Sequence, residues 1–93
     1  MSKFEMGQVV MTNGICAQII EDEAFGKFVH DSISRHRECD WGDMADEDLK
    51  MNDEARDSGD RIFSSYLYKK RTKIWIITEA DRSATTILFP TEY

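Results

Sequence analysis

Proline and cysteine are scarce in this sequence, and long apolar runs are absent. The chain has 93 residues, one proline and two cysteines. No run of about 18 apolar residues occurs, so no membrane-spanning helix is predicted. Residues 1–10 lack the apolar core of a secretory signal peptide. We therefore expect a cytoplasmic protein in which Cys16 and Cys39 are reduced thiols.

The motifs of cofactor-binding and catalytic proteins are also missing. No glycine-rich strand–turn–helix segment is present that could hold a phosphate or a dinucleotide. His30, His36 and Cys39 lie close in sequence, but a structural zinc needs four ligands and no second cysteine–histidine cluster exists. Nothing near them resembles an activated nucleophile. We predict no metal, no cofactor and no catalytic residue, and we expect His36 to end a helix near Trp41.

Basic side chains are outnumbered by acidic ones. Twelve lysines and arginines stand against 18 aspartates and glutamates, for a net charge of −6. Direct nucleic-acid binding is not expected, because phosphates are neutralised by lysine and arginine. Hydrophobic residues make up 41% of the chain and charged residues 32%, which is typical of a globular protein. We predict a single domain over residues 1–93.

The hydrophobic periodicity changes along the chain. A short strand is predicted within residues 4–12 and a short helix from residue 15 to 20, with Thr12 or Asn13 as its cap. Asp22 should cap a longer helix over 23–37, whose apolar residues recur every three or four positions. A third helix over 45–57 should be capped by Asp43 and ended by Gly59.

The last third of the chain has the two-residue period of strands, predicted at 61–68, 73–78 and 84–89. The run from Ile74 to Ile77 favours a central strand with both faces covered, with Trp75 and Ile77 on one face. The prediction is an α+β fold in which three helices pack on a small antiparallel sheet, in the order β-α-α-α-β-β-β.

The acidic residues are concentrated in one segment. Residues 38–60 contain ten carboxylates and two basic side chains, for a local net charge of −8, whereas residues 61–93 carry +3. The segment is either a solvated helix face or a surface that resembles the phosphate rows of DNA and docks on a basic-surfaced host protein. The candidate protein-binding residues are Asp43, Asp46, Glu47, Asp48, Asp53, Glu54 and Asp57.

A second polar set could line a pocket for a small molecule or a nucleotide. In the simpler interpretation Asp81 and Ser83 satisfy the backbone of their own turn, and Arg82 pairs with Glu79 or Asp81. Asn52, if buried, should brace the turn at residues 40–43. The candidate pocket residues are Trp41, Asn52, Glu79, Asp81, Arg82 and Ser83.

Four segments carry a resemblance to a known group of proteins: SRHRECDWGDM at 34–44, LKMNDEA at 49–55, RIFSSY at 61–66 and KIWIITEADRSATTILFPTEY at 73–93. The chain resembles small bacterial proteins of about this length from plasmids and other mobile elements, some labelled as a restriction–modification subunit. The resemblance covers most of the chain and is most specific in residues 73–93. It implies an origin in mobile DNA and transfers no catalytic residue.

Three functions remain open at this point. The first is a non-enzymatic accessory protein of a mobile element that binds another protein through the acidic segment, possible targets being host DNA-handling or defence enzymes. The second is a small-molecule or nucleotide-binding module. A small hydrolase ranks last, because no nucleophile is paired with a base.

Overall fold

The computed structural model describes residues 4–93, and within them the elements follow the predicted order. The α+β class and the order β-α-α-α-β-β-β are confirmed. The elements are β1 Gln8–Met11, α1 Asn13–Glu21, α2 Glu23–Arg37, α3 Asp46–Ser58, β2 Ile62–Tyr68, β3 Thr72–Thr78 and β4 Ala84–Leu88, followed by a 3-10 turn, Pro90–Glu92.

The strands form one sheet in the order β1-β4-β3-β2. β3 lies between β2 and β4 and is antiparallel to both, with Ile76 opposite Ser64 on one side and Ile87 on the other. The predicted central position of this strand is therefore confirmed. β1 adds a parallel pair with β4, in which Val10 lies opposite Thr86. The predicted antiparallel pairing is confirmed for β2, β3 and β4 but not for β1. The sheet is mixed, because the long connection through three helices returns the chain in the direction of β1.

The helix ends follow the predicted signals at three of four positions. Asp22 accepts a hydrogen bond from the Phe25 N–H at 3.2 Å, and Thr12 accepts one from the Ile15 N–H at 3.4 Å. Gly59 ends α3 with φ of 85°, a conformation that glycine adopts at little cost. The predicted Asp43 cap of α3 is wrong: the N-cap is Ala45, without a side-chain bond. Asp43 is instead held on β2, where its N–H donates to the Ser65 carbonyl at 2.7 Å.

One face of the sheet is covered by α1 and α2. Ile74 and Ile76 are fully buried there and belong to the main core. The other buried members of this core are Ile15, Phe25, Val29, Tyr66 and Ile87. Alternation places Trp75 and Ile77 on the opposite face. That face is covered partly by aromatic side chains, since Trp75 packs edge-to-face against both Phe63 and Tyr93.

α3 packs along the outer edge of β2 through a second, smaller core of Trp41, Ala55 and Ile62. Trp41 is 3% exposed, and its ring centroid lies 5.6 Å from that of His36 in α2. Its indole N–H donates to the Asp53 carboxylate of α3 at 3.0 Å. The predicted position of Trp41 between the two helices, and of His36 beside it, is confirmed. None of the helices in residues 4–93 combines the length and the apolar character needed to cross a membrane.

Candidate functional site

α3 presents most of its carboxylates to solvent. All seven predicted protein-binding residues are exposed. A spacing of 3.6 residues per turn places five of them on the outward side of the helix: Asp46, Glu47, Asp53, Glu54 and Asp57. Asp48 lies on the side nearer the sheet, next to Asn52 and Ala55 along the helix. Asp43 lies before the helix, against β2.

Few of these carboxylates are neutralised within the protein. Among the described residues the only ion pair of an α3 carboxylate joins Asp57 to Arg56, at 3.2 Å. Asp46, Glu47 and Asp48 occupy the first turn, where the helix dipole favours negative charge. That effect stabilises the helix but leaves the carboxylates exposed, so an external cation could still reach them.

A groove of about 550 Å³ runs between α3 and β2, at the sheet side of this acidic helix. Its apolar surface comes from two methionines, an alanine and an aromatic ring, and its rim carries two carboxylates and an arginine. The lining residues are Met44, Asp48, Met51, Asn52, Ala55, Asp60, Arg61 and Phe63. Met51 is 65% exposed, which is unusual for a side chain of this size beside an otherwise polar helix face. We refer to this region as the α3–β2 groove.

Asn52 lies in the groove, but its amide is already bonded to the edge strand. Its Oδ1 accepts from the Phe63 N–H at 3.1 Å, and its Nδ2 donates to the Phe63 carbonyl. The prediction that Asn52 braces the turn at 40–43 is therefore wrong. The reason is that the main-chain N–H and C=O of Phe63 point away from β3, and a carboxamide offers them the same donor and acceptor pair as a neighbouring strand would.

The turn before α3, at residues 41–43, covers Ser65, the next outward-facing residue on the outer edge of β2. The Ser65 N–H donates to the Trp41 carbonyl at 3.1 Å, and the Asp43 N–H donates back to the Ser65 carbonyl at 2.7 Å. Gly42 lies between them with φ of 80°, where a Cβ atom would overlap the Ser65 carbonyl. Asn52 and residues 41–43 thus cover the outer edge of β2 at Phe63 and Ser65.

The loop at 79–83 has a structural arrangement. Asp81 accepts from the Ser83 N–H at 2.9 Å, and the Ser83 side chain and N–H hold the pKa of Asp81 below its usual value. Arg82 pairs with neither carboxylate suggested by the sequence. Its guanidinium donates to the carbonyls of Asp60 at 2.7 Å and Ala55 at 3.1 Å, which ties the loop to the end of α3.

The six residues of the second predicted set therefore do not meet around the groove. Asn52 lines it, whereas Trp41 is buried against α2 and Arg82 is bound to main-chain carbonyls. Asp81 and Ser83 bond to each other, and Glu79 is exposed at the end of β3. Asp60, Arg61 and Phe63 also line the groove, which their sequence does not predict. No local signal marks them, since α3 and β2 come together only in the folded chain.

A buried polar chain crosses the sheet behind the groove. His36 Nδ1 contacts the Ser64 hydroxyl at 2.5 Å and Nε2 contacts the Thr78 hydroxyl at 2.9 Å. The Thr78 hydroxyl contacts that of Thr85 at 2.7 Å, and Thr85 donates to the Met6 carbonyl at 2.7 Å. The signal in the sequence is a polar residue at each of three strand positions that face the core: Ser64, Thr78 and Thr85.

One arrangement of protons satisfies every member of this chain. Thr85 gives its only hydroxyl hydrogen to Met6, so Thr78 must donate to Thr85. Nε2 of His36 must then carry a hydrogen and donate to Thr78, and Nδ1 accepts from Ser64. His36 is fully buried, and burial lowers its pKa to about 3. It is therefore a neutral structural histidine. Within residues 4–93 no group of three or more carboxylate, histidine or cysteine side chains is placed to hold a metal ion.

No protein-family model, no curated protein and no solved structure matches this chain.

Proposed function

We propose that this chain is a non-enzymatic accessory protein that binds a basic-surfaced protein through α3 and the α3–β2 groove. The observation that carries the proposal is the position of the groove. An apolar recess of about 550 Å³ opens inside the segment whose local net charge is −8. Solubility alone would account for the carboxylates but not for the exposed apolar surface between them.

The two kinds of surface have complementary roles in such an interface. Unpaired carboxylates such as Asp46, Glu47 and Glu54 accelerate encounter with a cationic surface. Met51 and Phe63 offer desolvated contact area, from which most of the binding energy of an interface comes. Methionine adapts its shape to the group that it contacts. A lysine or arginine of the partner could lay its alkyl stem on Met51 and reach Asp48 or Asp60 with its charged end.

In its most concrete form the proposed partner is a DNA-handling or defence enzyme of a bacterial host. This form rests on the resemblance to proteins of mobile elements. The surfaces of such enzymes that bind DNA are rich in lysine and arginine. Five exposed carboxylates along one side of α3 would compete with DNA for such a surface. We therefore expect DNA to displace this protein from its partner.

The charge part of the proposal is tested by a pair of triple variants. Asp46, Glu47 and Glu54 are changed to Lys; Asp53 is spared because it bonds to Trp41. We expect capture of host proteins from a lysate to be lost and the association rate with a purified captured partner to fall at least tenfold, because opposite charges steer encounter. The thermal midpoint should fall only modestly, because Asp46 and Glu47 lose a helix-dipole interaction of about 0.3–1 kcal/mol each and exposed charges otherwise contribute little to stability.

The matched control changes Glu5, Glu21 and Glu79 to Lys. These residues are also exposed but lie outside α3, and the net charge changes by the same amount. The control variant should still capture the partner. Added salt should weaken the complex of the control variant as much as it weakens the wild-type complex. Equal losses in the two triple variants would mean that only net charge matters and that α3 is a solvated face.

The groove is tested separately with Met51→Glu. This change places a carboxylate on the apolar wall without disturbing the core, since Met51 is 65% exposed. We expect faster dissociation of the complex, with an association rate close to that of the wild type. Leu67→Glu, at an aliphatic residue that is 38% exposed on β2 beyond the groove, is the control. Unchanged dissociation of the Met51 variant would remove the groove from the proposed interface.

A further inference from the structure

The two edges of the sheet differ in how many of their outward-facing main-chain groups are hydrogen-bonded. At the β2 edge, the outward-facing backbone groups of Phe63 and Ser65 are bonded to Asn52 and to residues 41–43. At the β1 edge, the Gln8 and Thr12 N–H groups point inward, donating to Ser83 and Ile87 at 3.1 Å. Strand alternation therefore turns the N–H and C=O groups of Val9 and Met11 outward. Within residues 4–93 these groups have no hydrogen-bond partner.

The side chains of this edge are also exposed and apolar. All four residues of β1 are exposed, and Val9, Val10 and Met11 expose 39%, 36% and 38% of their surface. Natural edge strands are usually protected by a charge, a proline, a bulge or a covering segment. β1 has none of these and is protected only by its length of four residues, whereas β2 is covered at Phe63 and Ser65. The β1 edge is therefore available for pairing with another strand.

We propose that β1 pairs antiparallel with β1 of a second copy of this chain. The first argument is charge. Residues 6–20 contain no charged side chain, in a chain that is 32% charged with a net charge of −6. Two copies repel each other over most of their surface and meet without like charges opposed along this strand. The inference is independent of the proposed partner, which would dock on the far edge of the sheet.

The second argument is the register that the outward groups impose. A two-fold axis at Val10 lets Val9 of one copy and Met11 of the other exchange both of their main-chain hydrogen bonds. Val10 then lies opposite Val10, Val9 opposite Met11, and Gln8 opposite Thr12. Apolar residues meet apolar ones and polar residues meet polar ones. The same patch serves both copies, so the contact closes as a dimer with one continuous sheet.

The contact is short, so the dimer should be weak. Strands of four residues bury much less than the roughly 1,200 Å² of stable interfaces, which suggests a Kd of about 10 μM to 1 mM. Sedimentation equilibrium should show an average mass that rises from 10.8 kDa toward twice that value over this range. Amide hydrogen exchange at Val9 and Met11 should slow as the dimer fraction rises: at about 1 mM protein by about twofold if the Kd is about 1 mM, and by more than about tenfold if it is about 10 μM.

Val10→Lys places two like charges opposite each other at the two-fold axis and should leave a monomer at about 1 mM. Leu67→Lys is the matched control, since Leu67 is 38% exposed on β2, and it should dimerise as the wild type does. The hydrogen-exchange measurement uses the wild-type chain, so it tests the dimer even if a variant does not fold. A monomeric wild type at about 1 mM, a Val10→Lys variant that still dimerises, or loss of the dimer in Leu67→Lys would each overturn the proposal. A monomer would leave this edge to an extended segment of another protein.

Discussion

Acidification should destabilise this protein through His36 before its carboxylates are protonated. The side chain is fully buried, and its ring nitrogens are bonded to the hydroxyls of Ser64 and Thr78. The rings of Phe4 and Trp41 also pack against it, at centroid distances of 5.4 Å and 5.6 Å. No carboxylate bonds to it within residues 4–93. A proton added to the imidazole would therefore have no counter-charge, and the Ser64 hydroxyl would lose its acceptor.

The magnitude follows from the two pKa values. Burial lowers the pKa of His36 to about 3 in the folded protein, whereas an unfolded histidine titrates near 6.5. The unfolded chain thus binds a proton between these values and the folded chain does not. The free energy of unfolding should fall by about 1.4 kcal/mol per pH unit as the pH drops below about 6.5. The loss should reach about 3 kcal/mol at pH near 4.5 and about 5 kcal/mol below the folded pKa.

Urea unfolding followed by tryptophan fluorescence between about pH 7 and 4.5 measures this loss. Glutamine does not titrate, so His36→Gln should lose most of this slope and keep only the smaller loss near pH of about 4.5 from carboxylates whose pKa is lowered in the folded protein, such as Asp40 and Glu92. His30→Gln removes the only other histidine, which is exposed on the same helix, and should keep the wild-type slope. Equal pH dependence of the wild type and His36→Gln would refute the reasoning, as would an NMR titration that places the pKa of His36 near 6.5.

Three further substitutions test how α3 is held. Trp41→Ala should lower the free energy of unfolding by about 3–5 kcal/mol in a denaturant titration; a loss under about 1 kcal/mol would contradict the buried position. Asn52→Ala should lower the free energy of unfolding by about 1–3 kcal/mol, because the main-chain N–H and C=O of Phe63 both lose their partner. Met51→Ala, at the exposed neighbouring residue, should change the free energy of unfolding by no more than about 0.5 kcal/mol. Arg82→Lys should lower the free energy of unfolding by about 1–2 kcal/mol, because an ammonium group cannot bind two carbonyls as the forked guanidinium does. Exposed Arg71→Lys is the control, and an equal loss in that variant would contradict the structural role of Arg82.

Local patterns were sufficient for most of the secondary structure. The helix at 23–37 matches α2 because its apolar spacing and its Asp22 cap act over a few residues. The run at 74–77 indicated the central strand, since a strand with two neighbours needs apolar residues on both faces. The cap of α3 was mispredicted for the converse reason. Asp43 has a side chain suited to a cap, but its main-chain N–H is bonded to Ser65 of β2, a strand that follows α3 in the sequence. This bond places Asp43 before the start of α3, so it cannot act as the cap.

The candidate site depended on contacts that sequence spacing does not encode. The acidic residues of α3 were identified correctly as exposed, because charged side chains are rarely buried without partners. The recess beside them was not predicted. It forms where a small core around Ala55 and Ile62, together with the bonds of Asn52 and Arg82, holds a weakly apolar helix beside an edge strand. At residues 79–83 the simpler interpretation is confirmed for Asp81 and Ser83, which satisfy their own turn, and is wrong for Arg82, which bonds to main-chain carbonyls.

The sequence by itself determined the order of elements, the central strand, the capped helices and the concentration of negative charge in residues 38–60. Each depends on periodicity or composition over short stretches of chain, which residue order alone specifies. Only the tertiary structure decided that α3 forms a groove with β2, that His36 bonds to hydroxyls of both β2 and β3, and that one sheet edge is covered at two residues while the other is open. These features depend on which backbone and side-chain groups meet in space, and the hydrogen-bonding needs of buried groups are met only there.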